Sequence, residues 1–113
     1  MKSKIQTLIQ NLKDSKTQFS EVISFIDENY NHTATAFKNG DANNESNQNQ
    51  GSAKVFSFAK MNGLTKENTL SLFAEHYQSV LETPNDTDHQ NIRQFIVNGW
   101  DGIKFDGEAL AEK

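Results

Sequence analysis

The chain has 113 residues, a formal net charge of −4 and no cysteine. That length suffices for one hydrophobic core, so we predict a single domain over residues 1–113. The acidic balance argues against a nucleic-acid binder, the scattered lysines argue against a basic membrane patch, and the lack of cysteine excludes disulfides and thiolate metal sites.

The N-terminal segment predicts a helix rather than a cleavable leader. Met1 to Ile5 contains two lysines but lacks the apolar centre of a signal peptide. Apolar residues then recur at helical spacing, which predicts a first helix over residues 3–13. No apolar run reaches the length of a bilayer-spanning helix. We therefore expect a soluble, cytoplasmic protein.

A second helix and a weak strand are predicted before residue 40. Ser20 is a good N-cap, and the helix after it buries one stripe of side chains, namely Val22, Ile23, Ile26 and Tyr30. Residues 34–38 contain threonine and an aromatic residue and precede the turn pair Asn39-Gly40, so they predict a short strand.

The segment from Asp41 to Gln50 is almost wholly polar. Burying it would require a partner for many donors and acceptors, so we predict a surface loop unless it wraps a ligand. Substitution of Asn44 or Asn47 by alanine should accordingly cost little stability. A calcium loop is not expected there, because Ser46 and Ser52 stand where the required glycine and glutamate would be.

Three more helices and a strand complete the prediction. Ser52 caps a third helix that ends at Asn62-Gly63, with Leu64 placed for a Schellman contact. Thr65 caps the fourth and longest helix, which carries an apolar stripe that includes Leu81 and ends at Pro84. A fifth helix opens at a Thr87/Gln90 capping box and stops at Gly99, and residues 103–106 form a second weak strand.

These elements predict a mainly α fold of the α+β class. About five amphipathic helices surround one core, and the strands near 34–38 and 103–106 form a small antiparallel pair. Two strands alone are marginal in water, so the helices must supply their supporting face.

The start of the third helix is the first candidate site. Gly51 leaves room for a ligand, and the first amides of a helix attract anions. Lys54 in the first turn opposes the helix dipole unless something negative lies nearby. The plainer alternative, which we prefer at this level, is that Ser52 only caps the helix and Lys54 is solvated.

The fifth helix is the second candidate. His89 and Arg93 are four residues apart and therefore neighbours on one edge. Either His89 is neutral, or both share an acidic partner or an anionic ligand. Asn91 could bond a strand or loop carbonyl. A structural network that ties this helix to the polar loop is the favoured interpretation.

Histidine and carboxylate spacing does not predict a metal centre or a cofactor. Glu75 and His76 are adjacent in a helix, so they do not face each other, and a second histidine at zinc-protease spacing is missing. We interpret His76 as a half-buried structural side chain.

Four segments carry a family resemblance: Thr87–Arg93, Gly99–Phe105, Asn49–Phe56 and Ala36–Asp41. Through them the chain resembles the HopJ type III effector family of bacteria over nearly its whole length. The resemblance implies a fold and, for an effector, secretion into host cells and a host protein partner. It implies no biochemical activity, because that family has no settled one.

Two functions remain open. The first is a non-enzymatic, monomeric interaction module whose partner is an unknown protein or a small anionic ligand. The second is a small enzyme or sensor of an anionic metabolite, with His89 as general acid or base and Arg93 and Lys54 holding the anion. The first predicts that Asn49, Ser52, His89 and Arg93 converge. The candidate binding residues are Asn39, Asn49, Gly51, Ser52, Lys54, His89, Asn91 and Arg93.

Overall fold

A computed structural model describes residues 2–113, with the side chains of residues 3–113; Met1, the first residue of the N-terminal segment, lies outside it. The helices of this described part are α1 (Lys2–Lys13), α2 (Phe19–Asn29), α3 (Gln50–Met61), α4 (Lys66–Ser71), α5 (Glu75–Glu82) and α6 (Gln90–Asn98). A short 3₁₀ helix follows at Gly99–Gly102. The strands are β1 (Tyr30–His32), β2 (Phe37–Asn39), β3 (Ala42–Asn44), β4 (Ile103–Phe105) and β5 (Leu110–Glu112).

The predicted α+β fold and its antiparallel strand pair are confirmed. Strand β2 pairs with β4, and Phe37 lies opposite Phe105. The polar segment differs from its prediction, since it contributes strand β3 on the other side of β2. Asn44 in that strand is only 5% exposed, so the prediction of a surface loop is wrong for residues 42–44. Strands β1 and β5 form a separate antiparallel pair.

The core is centred on helix α3, which is buried on most of its circumference. Phe56 is fully buried, and its ring lies 5.0 Å from Phe95, 5.4 Å from Phe73 and 6.2 Å from Phe37 between centroids. These partners come from α6, the chain before α5, and β2. Aromatic pairs at such distances add to the hydrophobic contribution of burial. Phe56 therefore joins the helical layer to the sheet.

The connection from α3 to α4 follows its predicted turn chemistry. Gly63 has φ of +64°, and the Leu64 N–H donates to the Ala59 carbonyl at 3.0 Å, which closes a Schellman motif. The hydroxyl of Thr65 then accepts from the Asn68 N–H at 3.1 Å. The predicted stop and the predicted N-cap are both confirmed.

Helix α2 begins earlier than predicted. Ser20 lies inside the helix, and Gln18 is the N-cap residue. The Gln18 N–H donates to the Glu21 carboxylate at 2.9 Å. This bond satisfies a backbone donor at the helix start, so the stronger cap propensity of Ser20 is not used.

The single long helix predicted over residues 65–84 is wrong, because α4 and α5 replace it. Ala74 has φ of +51° and ψ of −122°, a conformation outside the α-helical region. Leu72 and Phe73 immediately precede this break, and both are buried in the core. The break also leaves Leu81, a predicted stripe residue, 52% exposed.

The close approach of Gly40 and Gly102 gives a stability prediction. The Gly40 N–H donates to the Gly102 carbonyl at 2.9 Å, and a Cβ on Gly102 would lie 2.9 Å from Asn98 Cβ and 3.1 Å from Gly40 N. We expect Gly102→Ala to lower the free energy of unfolding by about 1–3 kcal/mol. Gly107→Ala is the control, because its Cβ would meet only the Thr35 methyl at 3.9 Å. Equal urea midpoints for the two variants would contradict this packing.

Within residues 2–113, none of the helices combines the length and the apolar character needed to cross a membrane.

Candidate functional site

A cleft of about 740 Å³ opens where strand β3 meets the first turns of α3 and α6. Side-chain amides line much of it, and Phe19, Phe73 and Ile92 supply apolar surface. His76 from α5 and His89 before α6 also line it. A concave surface with a few fixed polar groups is the usual form of a binding site.

The cleft brings together five of the eight candidate residues. Its lining includes Asn49, Gly51, Ser52, His89 and Asn91. The predicted convergence therefore covers Asn49, Ser52 and His89. It does not extend to Arg93, which lies outside the lining.

Both helices at the cleft start from left-handed residues. Asn49 (φ +49°) precedes α3 and His89 (φ +52°) precedes α6, so the predicted caps Ser52 and Thr87 are wrong. Asn and His are among the non-glycine residues that tolerate this conformation best. Gln90 contributes differently from a capping box, since its side chain donates to the Thr87 carbonyl at 2.7 Å.

Four asparagines connect the core to the cleft, and we call them the asparagine network: Asn39, Asn91, Asn44 and Asn49. Asn39 is fully buried, and its Nδ2 donates to the Asn91 carbonyl at 2.7 Å and to Asn91 Oδ1 at 3.1 Å. Asn91 and Asn44 exchange two bonds, of 3.0 and 3.2 Å, and Asn49 Nδ2 donates to Asn44 Oδ1 at 2.7 Å. The network fixes β2, β3, α6 and the start of α3 relative to one another.

The inner end of the asparagine network is incompletely satisfied. Among the described residues, none donates to Asn39 Oδ1, which is buried. The orientation of the Asn39 side-chain amide is nevertheless consistent with its surroundings, because both groups bonded to Nδ2 are acceptors.

The hydrogen bonds of Arg93 connect parts of the fold and do not reach into the cleft. Its guanidinium donates to Asp88 Oδ1 at 2.6 Å and to the Thr83 carbonyl at 2.8 Å. Asp88 Oδ2 also lies 3.9 Å from His89 Nε2, so Asp88 is an acidic partner shared by the predicted His89/Arg93 pair. Arg93 therefore ties the end of α5 to the start of α6, outside the cleft.

Lys54 is also engaged away from the cleft. Its ammonium lies 2.9 Å from the carboxylate of Asp27 on α2, and its side chain is 18% exposed. The negative group that a first-turn lysine needs is therefore supplied by α2.

Asp88 gives a pH prediction. The hydrogen bond from Arg93 lowers the pKa of the Asp88 carboxyl below its ordinary 3.8; desolvation opposes this shift, and the charges of Arg93 and His89 add smaller effects in the lowering direction. A carboxyl whose pKa is lower in the folded state than in the unfolded state stabilises the fold at pH values above its unfolded-state pKa. This stabilisation is lost as the pH falls through the folded-state pKa. We expect Asp88→Asn to be less stable than wild type at about pH 7, with the difference vanishing toward about pH 2.

The control for this prediction is Asp86→Asn, which removes the same charge from the same exposed turn. Urea unfolding of the three proteins across the pH range measures the effect. A constant gap between wild type and Asp88→Asn would contradict the assignment of the effect to Asp88 ionisation.

The family model described as HopJ type III effector protein matches residues 5–110 of the chain. The chain belongs to the HopJ family. This membership confirms the resemblance carried by the four sequence segments.

The HopJ fold also appears in a solved structure. The chain is similar to the one described as "Crystal structure of unknown function protein VPA0580", with 42% sequence identity and a TM-score of 0.88. The match covers 96% of this chain and 92% of that chain. None of the curated proteins compared with the chain matches it. Because a shared fold does not fix an activity, the function must be argued from the cleft.

Several residues of this HopJ cleft, including His76 and Asn44, are not predicted as site residues from the sequence. The ring of His76 lies 5.1 Å from that of His89 and 4.9 Å from that of Phe19, between centroids. The polar composition of residues 41–50 predicts a surface loop, so it gives no sign that Asn44 is buried at the site. A period-3.6 pattern through residues 65–84 gives no sign of the break at Ala74 that precedes His76. In the part of the chain that the structure describes, no three His, Asp or Glu side chains are grouped to hold a metal ion.

Proposed function

We propose that this HopJ family member is a non-enzymatic interaction module whose cleft binds an uncharged polar segment of a partner protein. The observation that carries the proposal is the concentration of amide side chains on one concave surface: Asn44, Gln48, Asn49, Gln90 and Asn91. Asn44 and Asn91 bond to each other, whereas the amides of Gln48, Asn49 and Gln90 are exposed. An exposed primary amide offers donors and an acceptor, which is the complement of a peptide group.

Charge supports the uncharged character of the bound segment. Among the side chains of residues 3–113, no lysine, arginine, aspartate or glutamate lines the cleft. A charged ligand group buried there would lose hydration without gaining an ion pair, which is unfavourable. We assign binding to Asn49, Gly51, Ser52, His89 and Asn91, and a supporting role to Asn39, Lys54 and Arg93.

Membership of the HopJ family supports a more specific setting. The family is described as type III effector proteins, which suggests delivery into a host cell and a host protein as the partner. A reporter fusion compared in bacteria with and without the secretion apparatus tests delivery. Equal reporter signals in the two strains would contradict delivery, and the module would then act inside the bacterium.

Site-specific crosslinking tests the interaction. A photoreactive benzoylphenylalanine replaces Gln48, which is exposed and lines the cleft, and a second variant carries it at Glu28, which is exposed on α2 outside the cleft. After illumination in host-cell extract, we expect a discrete adduct from position 48 that is absent from position 28.

The crosslinking result needs a cleft-dependent control. Adding His89→Gly to the position-48 variant removes a lining side chain and keeps the left-handed backbone conformation, and the adduct should weaken. Equal adducts from positions 48 and 28, or an adduct insensitive to His89→Gly, would contradict binding in the cleft.

A second candidate is a binding site for a small anion. The first turns of α3 and α6 open onto the cleft beside His76 and His89, and helix N-termini favour anions. Against it, Arg93 and Lys54 already pair with Asp88 and Asp27. Thermal unfolding with inorganic phosphate or citrate separates the two, because a ligand of the native state raises the melting temperature. The interaction module predicts no such increase.

A further inference from the structure

The register of the three-stranded sheet determines where the backbone groups of β2 point. The Gly40 N–H donates to the Gly102 carbonyl at 2.9 Å, and the Asp106 N–H donates to the Ala36 carbonyl at 3.0 Å. In an antiparallel pair, hydrogen-bonded and non-hydrogen-bonded positions alternate. Within residues 36–40, the even-numbered residues therefore direct their N–H and C=O groups toward β4.

The odd-numbered residues of β2 consequently bond to β3. Phe37 lies opposite Asn44 and Asn39 lies opposite Ala42, so these are the hydrogen-bonded pairs. Asn43 lies opposite Lys38, whose backbone groups point to β4. By the same alternation, the backbone N–H and C=O of Asn43 point away from β2, toward the outer edge of the sheet.

That outer edge borders the cleft. In the sheet as described over residues 2–113, the order is β3-β2-β4, so β3 is an edge strand. All three residues of β3 line the cleft, and Asn43 is exposed. An accessible strand edge is a template for pairing with another extended chain.

We propose that the partner segment binds as an added strand along β3, with its backbone bonded to the N–H and C=O of Asn43. This inference rests on the proposed function and specifies how the cleft holds its partner. In strand addition, backbone bonds supply affinity, and pockets for alternate side chains supply specificity.

The dimensions and chemistry of the edge define the segment. Three residues of strand extend about 10 Å, so the backbone bonds at Asn43 are few and the cleft must add contacts. Asn49 and Gln48 can bond peptide groups of the segment, and Phe19, which is only partly buried, can pack against an apolar side chain. The occupant is thus a short, extended and uncharged peptide in which apolar and polar residues alternate.

A phage-displayed library of random linear dodecapeptides, selected against the full chain, provides the probe. The best peptide is then synthesised, and its affinity is measured for wild type, Asn43→Pro and Asn43→Ala. Proline at an outward-facing edge position removes one N–H without breaking the ladder. We expect Asn43→Pro to weaken binding by about tenfold or more and Asn43→Ala, which keeps the N–H, to change it by less than about threefold.

Single N-methylation along the peptide provides a second readout on the unaltered protein. Methylated amides should lose binding at every second position of the paired stretch, because only alternate amides face β3. Wild-type affinity for Asn43→Pro, or methylation losses without this alternation, would overturn strand addition.

The same peptide separates this inference from the proposed function. If His89→Gly weakens its binding while Asn43→Pro does not, the cleft binds a partner in another mode and only strand addition fails. If the library yields no binder, strand addition fails and the crosslinking result alone decides the interaction module. Dimerisation that is abolished by Asn43→Pro would identify a second copy of the chain as the occupant and would also contradict the proposed partner.

Discussion

Phe56→Ala is expected to lower the free energy of unfolding by about 3–5 kcal/mol. Phe56 is fully buried, and its ring contacts Phe37, Phe73, Phe95 and Trp100. Truncation removes the ring's transfer free energy and leaves a cavity bounded by side chains from several elements, which cannot all move inward together. Urea unfolding followed by circular dichroism measures the loss.

The matched control for Phe56→Ala is Val97→Ala on α6. Val97 is 76% exposed, so its truncation removes little buried surface, and alanine is the better helix former. We expect a change within about 0.5 kcal/mol. A loss at Phe56 no larger than the change at Val97 would show that the aromatic cluster does not hold the helices to the sheet.

Asn91→Ala is expected to lower the free energy of unfolding by about 2–4 kcal/mol. It removes one bond to Asn39 and two to Asn44, and both partners are buried. The cost arises chiefly from buried amide groups left without partners, since each such group forfeits its hydration. The helix itself remains intact, because alanine favours it.

Asn47→Ala controls for the loss of an asparagine from the same polar region. Asn47 is exposed, and its substitution should change stability by less than about 0.5 kcal/mol. Similar urea midpoints for the Asn91 and Asn47 variants would contradict a stabilising role of the asparagine network. The backbone amides of Ala42 and Asn44, which bond to β2, should also lose hydrogen-exchange protection in Asn91→Ala alone.

The helical part of the fold could be predicted from residues 3–13 and 20–30 because one stripe of each segment is apolar. Such periodicity reports which face is buried, whatever the partner is. It could not locate the end of α4, since burial of both Leu72 and Phe73 depends on helices and strands distant in sequence. Long-range packing therefore overrides the local pattern there.

The candidate site was predictable in its residues more than in its architecture. Asn49 and His89 stood out for their chemistry, yet their left-handed conformations follow from how α3 and α6 join the sheet. The burial of Asn44 requires β3 to lie beside α6, an arrangement that composition cannot encode for a polar segment. In sequence, polar residues that are buried in a hydrogen-bonded network look like a surface loop.

Nitrogen-15 NMR of the full chain, titrated with the selected uncharged peptide, tests the central claim most directly. The claim is that an amide-lined cleft held by the asparagine network is the recognition surface of this HopJ chain. We predict that the largest shift changes fall on the backbone amides of Asn43, Asn49 and Gly51, with the side-chain amide of Asn49 also moving. Largest changes at α1 or β5, with an unperturbed cleft, would contradict the claim.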